Sequence, residues 1–138
     1  MEKEFVSYQI ALELKQLNFD KPCFGKFYYN QLEIGGIWTN NDFKEDSNIF
    51  ISAPLYQQVF TWFREKYGLR NSITDFIDDE TGIEWDYEIA IIGTDVDEKG
   101  NYKPIVDYST DDETRKFKTY EEAELACLRK LIKIVKNH

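Results

Sequence analysis

An α+β domain is the fold this sequence predicts, and three observations predict it. Helical apolar periodicity recurs in three separate segments, strict alternation marks strand between them, and 138 residues suit one hydrophobic core. The order reads α-β-β-α-β-β-β-α over residues 1–138. This is a single α+β domain whose mostly antiparallel sheet, of about five strands, is packed by three helices.

The first helix is predicted over 8–17. Ile10, Leu14 and Leu17 fall at i, i+4 and i+7 beside Ala11, Ser7 is available as N-cap, and Pro22 disfavours helical geometry at the residue before it. The aromatic-rich Cys23 to Tyr29 and the alternating Leu32-Glu33-Ile34 predict a hairpin turning at Asn30-Gln31. Gly35-Gly36 punctuates, 39–48 is a polar loop, and 49–51 adds a short buried strand. The second helix has Ser52 as cap, Pro54 in its first turn and Gly68 after its end. Leu55, Tyr56, Val59, Phe60, Phe63 and Tyr67 form a wide apolar stripe there, with Trp62 to one side.

Three strands are predicted next. The first, 72–77, ends in the turn-rich Asp78-Asp79-Glu80-Thr81-Gly82. In the second, 83–92, Ile83, Trp85, Tyr87 and Ile89 face one way, and Glu84, Asp86 and Glu88 the other. The third, 102–108, contains Pro104, which donates no ladder bond and so belongs at a sheet edge. The last helix opens with a capping box, Thr119-Tyr-Glu-Glu122, and carries Leu125, Leu128, Ile132 and Val135 along one seam. Its acids come first and its bases last, as the helix dipole favours.

Charge is distributed unevenly. Residues 75–113 hold fourteen carboxylates and two lysines, a net of −12, while the remaining residues, with twelve acids and fifteen bases, sum to +3. Such a block bears on partners and solubility rather than on fold, and it disfavours direct contact with nucleic-acid phosphate. The candidate acidic interaction face comprises Glu84, Asp86 and Glu88 with the turn acids Asp78, Asp79 and Glu80. The plain alternative is a solvated outer face, which alternation alone generates. Trp38, in the polar loop, and Trp62, off the centre of its stripe, are the candidate exposed aromatics.

Familiar chemistry finds little support. The one histidine is the terminal His138, and Cys23 and Cys127 lack the paired spacing of a zinc or redox site. They read as buried thiols. Asp95 to Gly100 begins like an EF-hand loop, but Lys99 stands at position five and Val106 at position twelve, where oxygen ligands belong. No catalytic residue, metal ligand or cofactor is assigned. The first residues show no secretory signal and no apolar run reaches membrane-spanning length, so a cytoplasmic setting is expected.

Three segments carry a resemblance: Phe19-Asp-Lys-Pro-Cys-Phe24, Ala53 to Leu69, and Thr119 to Ile132. Together they resemble a family of small, uncharacterised proteins encoded by phages and prophages of Bacteroides-type gut bacteria. The likeness covers roughly half the chain and is weakest in the acidic strands. It implies a mobile element inside a bacterial cytoplasm and supplies no activity or site residue.

The function expected is therefore that of a non-enzymatic phage accessory protein acting through protein contacts, including contact with a second copy. The partner expected is basic or DNA-binding, with no direct nucleic acid and no membrane. One alternative is an acidic inhibitor that mimics nucleic acid toward a host defence or DNA-processing protein. Another is a small carboxylate-dependent metalloenzyme.

Overall fold

Ser7 starts the first helix: its Oγ accepts the Ile10 N–H at 3.3 Å, and α1 runs Tyr8–Gln16. It ends at Asn18, whose left-handed φ of 65° closes the last turn four residues before Pro22. The computed structural model describes residues 2–43, 49–107 and 116–137, with backbone alone at 92–95 and 102–107. Residues 44–48 of the predicted polar loop, position 108 of the third predicted strand with the acidic stretch 109–115 after it, and His138 lie outside the described residues. The chain forms two compact units, Met1–Val59 and Phe60–His138.

In the first unit, β1 (Cys23–Tyr28) pairs antiparallel with β2 (Gln31–Trp38) on one side and β3 (Phe50–Ser52) on the other. The hairpin turns at Tyr29-Asn30, one residue earlier than the sequence predicts. Both residues take positive φ, 48° and 63°, as a two-residue turn matched to strand twist requires. Cys23, Gly25 and Phe27 point inward, where Phe5, Val6, Ile10, Leu14, Phe19 and Ile51 are buried with Cys23 and Phe27. Burial raises the Cys23 thiol pKa to about 11, so it is inert at neutral pH. Asn40 ties this unit together, donating to Phe19 O at 2.9 Å and accepting the Ser52 N–H at 3.0 Å.

That bond corrects one expectation. Ser52 does not cap the second helix, because its backbone is extended in β3 opposite Lys26. α2 begins later and spans Tyr56–Tyr67. Gln58 accepts the Leu55 N–H at 3.0 Å and donates to Pro22 O at 2.8 Å. Gly68, at φ 67°, terminates α2 as read.

The second unit holds β4 (Leu69–Asp78), β5 (Gly82–Val96) and β6 (Tyr102–Asp107), antiparallel in the order β4-β5-β6. β6 lies at an edge, as Pro104 requires. α3 (Tyr120–Lys136) packs against β4 and β5 and buries Ala123, Cys127, Leu128, Leu131, Ile132 and Ile134. The α+β class, antiparallel pairing and three helices are as predicted. The sheet differs: among the described residues six strands divide into two three-stranded sheets rather than forming one. The short β3 completes the first sheet beside β1, and α2 separates it in sequence from the second.

Candidate interaction surfaces

The acidic hairpin of β4 and β5 is built by register. β4 and β5 pair without a slip from Leu69 opposite Ile91 to Asp78 opposite Gly82. Alternation then sets Thr74, Phe76 and Asp78 on the face that carries Glu84, Asp86 and Glu88. The opposite face carries Tyr87 and Ile89, both buried. Farther out, Ile77 and Ile83 are exposed, 82% and 60%.

Two lysines that the sequence reading overlooked change this acidic face. Phe117 exchanges both backbone bonds with Trp85, at 2.8 and 2.9 Å, so residues 116–118 lie alongside β5 like a short strand. Lys118 reaches Glu84 at 2.7 Å and Lys116 reaches Asp78 at 3.0 Å. Glu84 is 1% exposed, which corrects its expected place on an open face. The Lys118 ammonium beside it holds its carboxyl below the usual range. Asp78 is held down to about 2 by the Glu80 N–H, then by Lys116 and the Thr81 N–H. Asp86 is half-buried and its Oδ1 accepts the Tyr87 N–H at 2.7 Å. Only Asp79, Glu80 and Glu88 of the six named acids are exposed. The signal that could have shown this is Lys116-Phe117-Lys118, an alternation complementary to Glu84-Trp85-Asp86.

The cap of α3 positions the same clamp. Thr119 Oγ accepts the Glu122 N–H at 3.1 Å, while Glu122 Oε2 accepts from the Lys118 N–H at 3.2 Å. The return bond of the capping box thus lands one residue earlier than read, on the lysine that meets Glu84. A second carboxylate, Glu124, is buried in α3, and burial raises its pKa. The Tyr120 hydroxyl beside it offsets part of that rise. The Tyr120 ring sits edge-on to Trp85 at 5.4 Å.

The two tryptophans separate. Trp62 is 2% exposed, which corrects its expected exposure. The buried stripe of α2 is wider than read, taking in Val59, Phe60, Trp62 and Phe63. Trp62 stands edge-on to Phe63 at 5.1 Å and to Tyr67 at 5.4 Å. Trp38 lies at the end of β2 rather than in a loop, and it is half-buried.

Trp38 belongs to a row of rings on the first unit. It stacks on Phe43 at 6.0 Å, Phe43 on Phe50 at 5.5 Å, and Phe50 on Tyr28 at 4.9 Å. Tyr29 then meets Tyr28 edge-on at 4.6 Å. Lys26 Nζ lies 3.9 Å from the centre of the Trp38 ring and 3.9 Å from a Glu33 oxygen. The Trp38 Nε1–H donates to Gly35 O at 2.9 Å, folding the indole over the Gly35-Gly36 bend. A Cβ on Gly36 would fall 2.7 Å from that nitrogen, so the bend needs glycine. Tyr29, 60% exposed, and Tyr28, 41%, form the open end of the row, with Ile34 and Ile37 exposed on β2. Nothing in the sequence joins residues 28, 38, 43 and 50; the pairing of β1 with β2 and β3 does.

Asp97, from the loop tested for calcium binding, instead accepts the Lys99 and Asn101 N–H groups in a hairpin turn. Among the described residues no group of three or more His, Cys, Asp or Glu side chains is placed to hold a metal ion. Nor is any described helix long and apolar enough to cross a membrane. In comparisons with known proteins, no family model, no curated protein and no solved structure matches the chain.

Proposed function

We propose that this chain is a non-enzymatic accessory protein of a phage or prophage that works by binding another protein. The observation that carries this reading is the aromatic row of Trp38, Phe43 and Phe50 ending in the exposed Tyr28 and Tyr29. Tyrosine and tryptophan anchors surrounded by apolar surface are the usual centre of a protein interface, because they bury large area at little entropic cost. The bacterial cytoplasmic setting rests on the resemblance of three segments to phage-encoded proteins.

The geometry lends less support to nucleic-acid mimicry. Mimicry needs carboxylates that are free and continuous, whereas Lys118 neutralises Glu84 and Lys116 neutralises Asp78. The two modes of binding respond differently to salt. Association through apolar and aromatic contact persists as ionic strength rises, while charge-dominated association weakens steeply. Affinity capture from Bacteroides-type cells, washed at salt from about 0.05 to about 0.5 M, distinguishes them. Retention of the partner throughout is expected; loss by moderate salt contradicts the aromatic interface.

A further inference from the structure

Among the described residues the edge of β4 is open and regular: β4 pairs with β5 alone, across ten residues without bulge or proline. Natural edge strands are usually short, bulged or blocked, because their free N–H and C=O groups template further pairing. Which groups are free follows from Trp85. Both its backbone groups bond to Phe117, so they point away from β4. Asp75, directly opposite Trp85, therefore directs its own N–H and C=O at the open edge. By alternation Asn71, Ile73 and Ile77 do the same.

We propose that this edge pairs antiparallel with the β4 edge of a second copy, joining two three-stranded sheets into one of six. The strand is self-complementary in that direction. Arg70 opens it and Asp75 and Asp78 close it, so an antiparallel copy brings the basic start of one strand beside the acidic end of the other. A parallel copy aligns like charges. With the two-fold axis at Ile73, Ile73 meets Ile73 of the second copy, Asn71 meets Asp75, and Leu69 meets Ile77. Arg70 then faces Phe76, next to Asp78. The two Asp75 side chains, which share a face, are kept apart by this register. About ten backbone hydrogen bonds result, the number a typical protein interface carries.

The surface differs from the aromatic row and stands or falls separately. Gel filtration with light scattering of the full chain, from about 5 to about 500 μM, tests it. The mass is expected to rise from 16.4 kDa to twice that value with concentration. Asp75→Pro removes an outward N–H without touching the β5 ladder, and is expected to stay at 16.4 kDa with its melting temperature at low concentration unchanged. Mild oxidation of Ile73→Cys is expected to give a disulfide-linked dimer, and Thr74→Cys much less, since Thr74 faces Ser72 of the second copy. A wild-type mass of 16.4 kDa at every concentration overturns the proposal. So does an Asp75→Pro protein that still dimerises, or equal cross-linking at 73 and 74. An added basic peptide that binds the edge while the chain stays monomeric also overturns it, in favour of a foreign strand.

Discussion

Lys118 donates to the Glu84 carboxylate at 2.7 Å, pairing a largely exposed ammonium with a carboxylate buried on β5. The pair changes the meaning of the acidic third of the chain, since its most central strand acid is an internal structural group. Removing one partner of such a pair leaves a buried charge uncompensated, which is costlier than breaking an exposed pair. Lys118→Met is therefore expected to lower the urea midpoint clearly, and Glu84→Gln in that background to recover part of the loss. Lys116→Met is expected to do little, because Asp78 keeps the Glu80 and Thr81 N–H groups. Equal losses for the two lysines would contradict the distinction.

The dependence on pH carries two opposite contributions. Asp78 and Glu84 have folded-state pKa values below their unfolded ones. Their stabilisation is present above the unfolded value near 4 and is lost as pH falls, for Asp78 down through about 2. Glu124 is raised by burial, so its stabilisation is present below the unfolded value and is lost as pH rises through the folded one. Glu124→Gln is expected to exceed wild type in stability at pH 7 and to match it near pH 3. Denaturant melts at these two pH values check it; a variant weaker than wild type at pH 7 would show that the carboxylate is stabilising.

The cap of α3 has a local and a transmitted effect. Thr119→Ala leaves the Glu122 N–H without its acceptor and is expected to cost about 1 kcal/mol. Glu122→Ala removes the acceptor of the Lys118 N–H, and so is expected to be non-additive with Lys118→Met in a double-mutant cycle. Additive losses would mean that the cap and the clamp act independently.

Gly36 tests the seat of Trp38. Gly36→Ala meets both a φ of +75° and the indole nitrogen 2.7 Å from the new Cβ, whereas Gly100→Ala meets a positive φ alone. The Gly100 variant is expected to lose about 1 kcal/mol from backbone strain. The Gly36 variant should lose more and shift the Trp38 indole N–H resonance. Equal losses, with that resonance unmoved, would place the indole elsewhere.

Much of the fold was legible because local chemistry and tertiary packing agree. Ser7, Thr119 and Gly68 mark helix ends through bonds that lie within one turn, and the alternation around Tyr87 and Ile89 predicts a buried strand face. Ser52 misled because a polar residue before Pro54 looks like a cap whether its backbone is extended or turning. Trp62 misled because a stripe read from one helix does not show how much of that helix is covered. The clamp on Glu84 and the row from Trp38 to Tyr29 were out of reach for a different reason. Each joins residues far apart in sequence, and only strand register brings them together.

Protein contact through the aromatic row is tested most directly by comparing three baits for one captured partner. These are wild type, Tyr28→Ser/Tyr29→Ser, and a bait with Asp79, Glu80 and Glu88 replaced by their amides. Both sets of altered side chains are exposed, so each variant is expected to fold. Affinity lost about tenfold or more with the tyrosines and nearly unchanged with the acids is the expected result. Binding that survives the tyrosine changes and disappears with the acids would contradict the proposal and restore the acidic hairpin as the site.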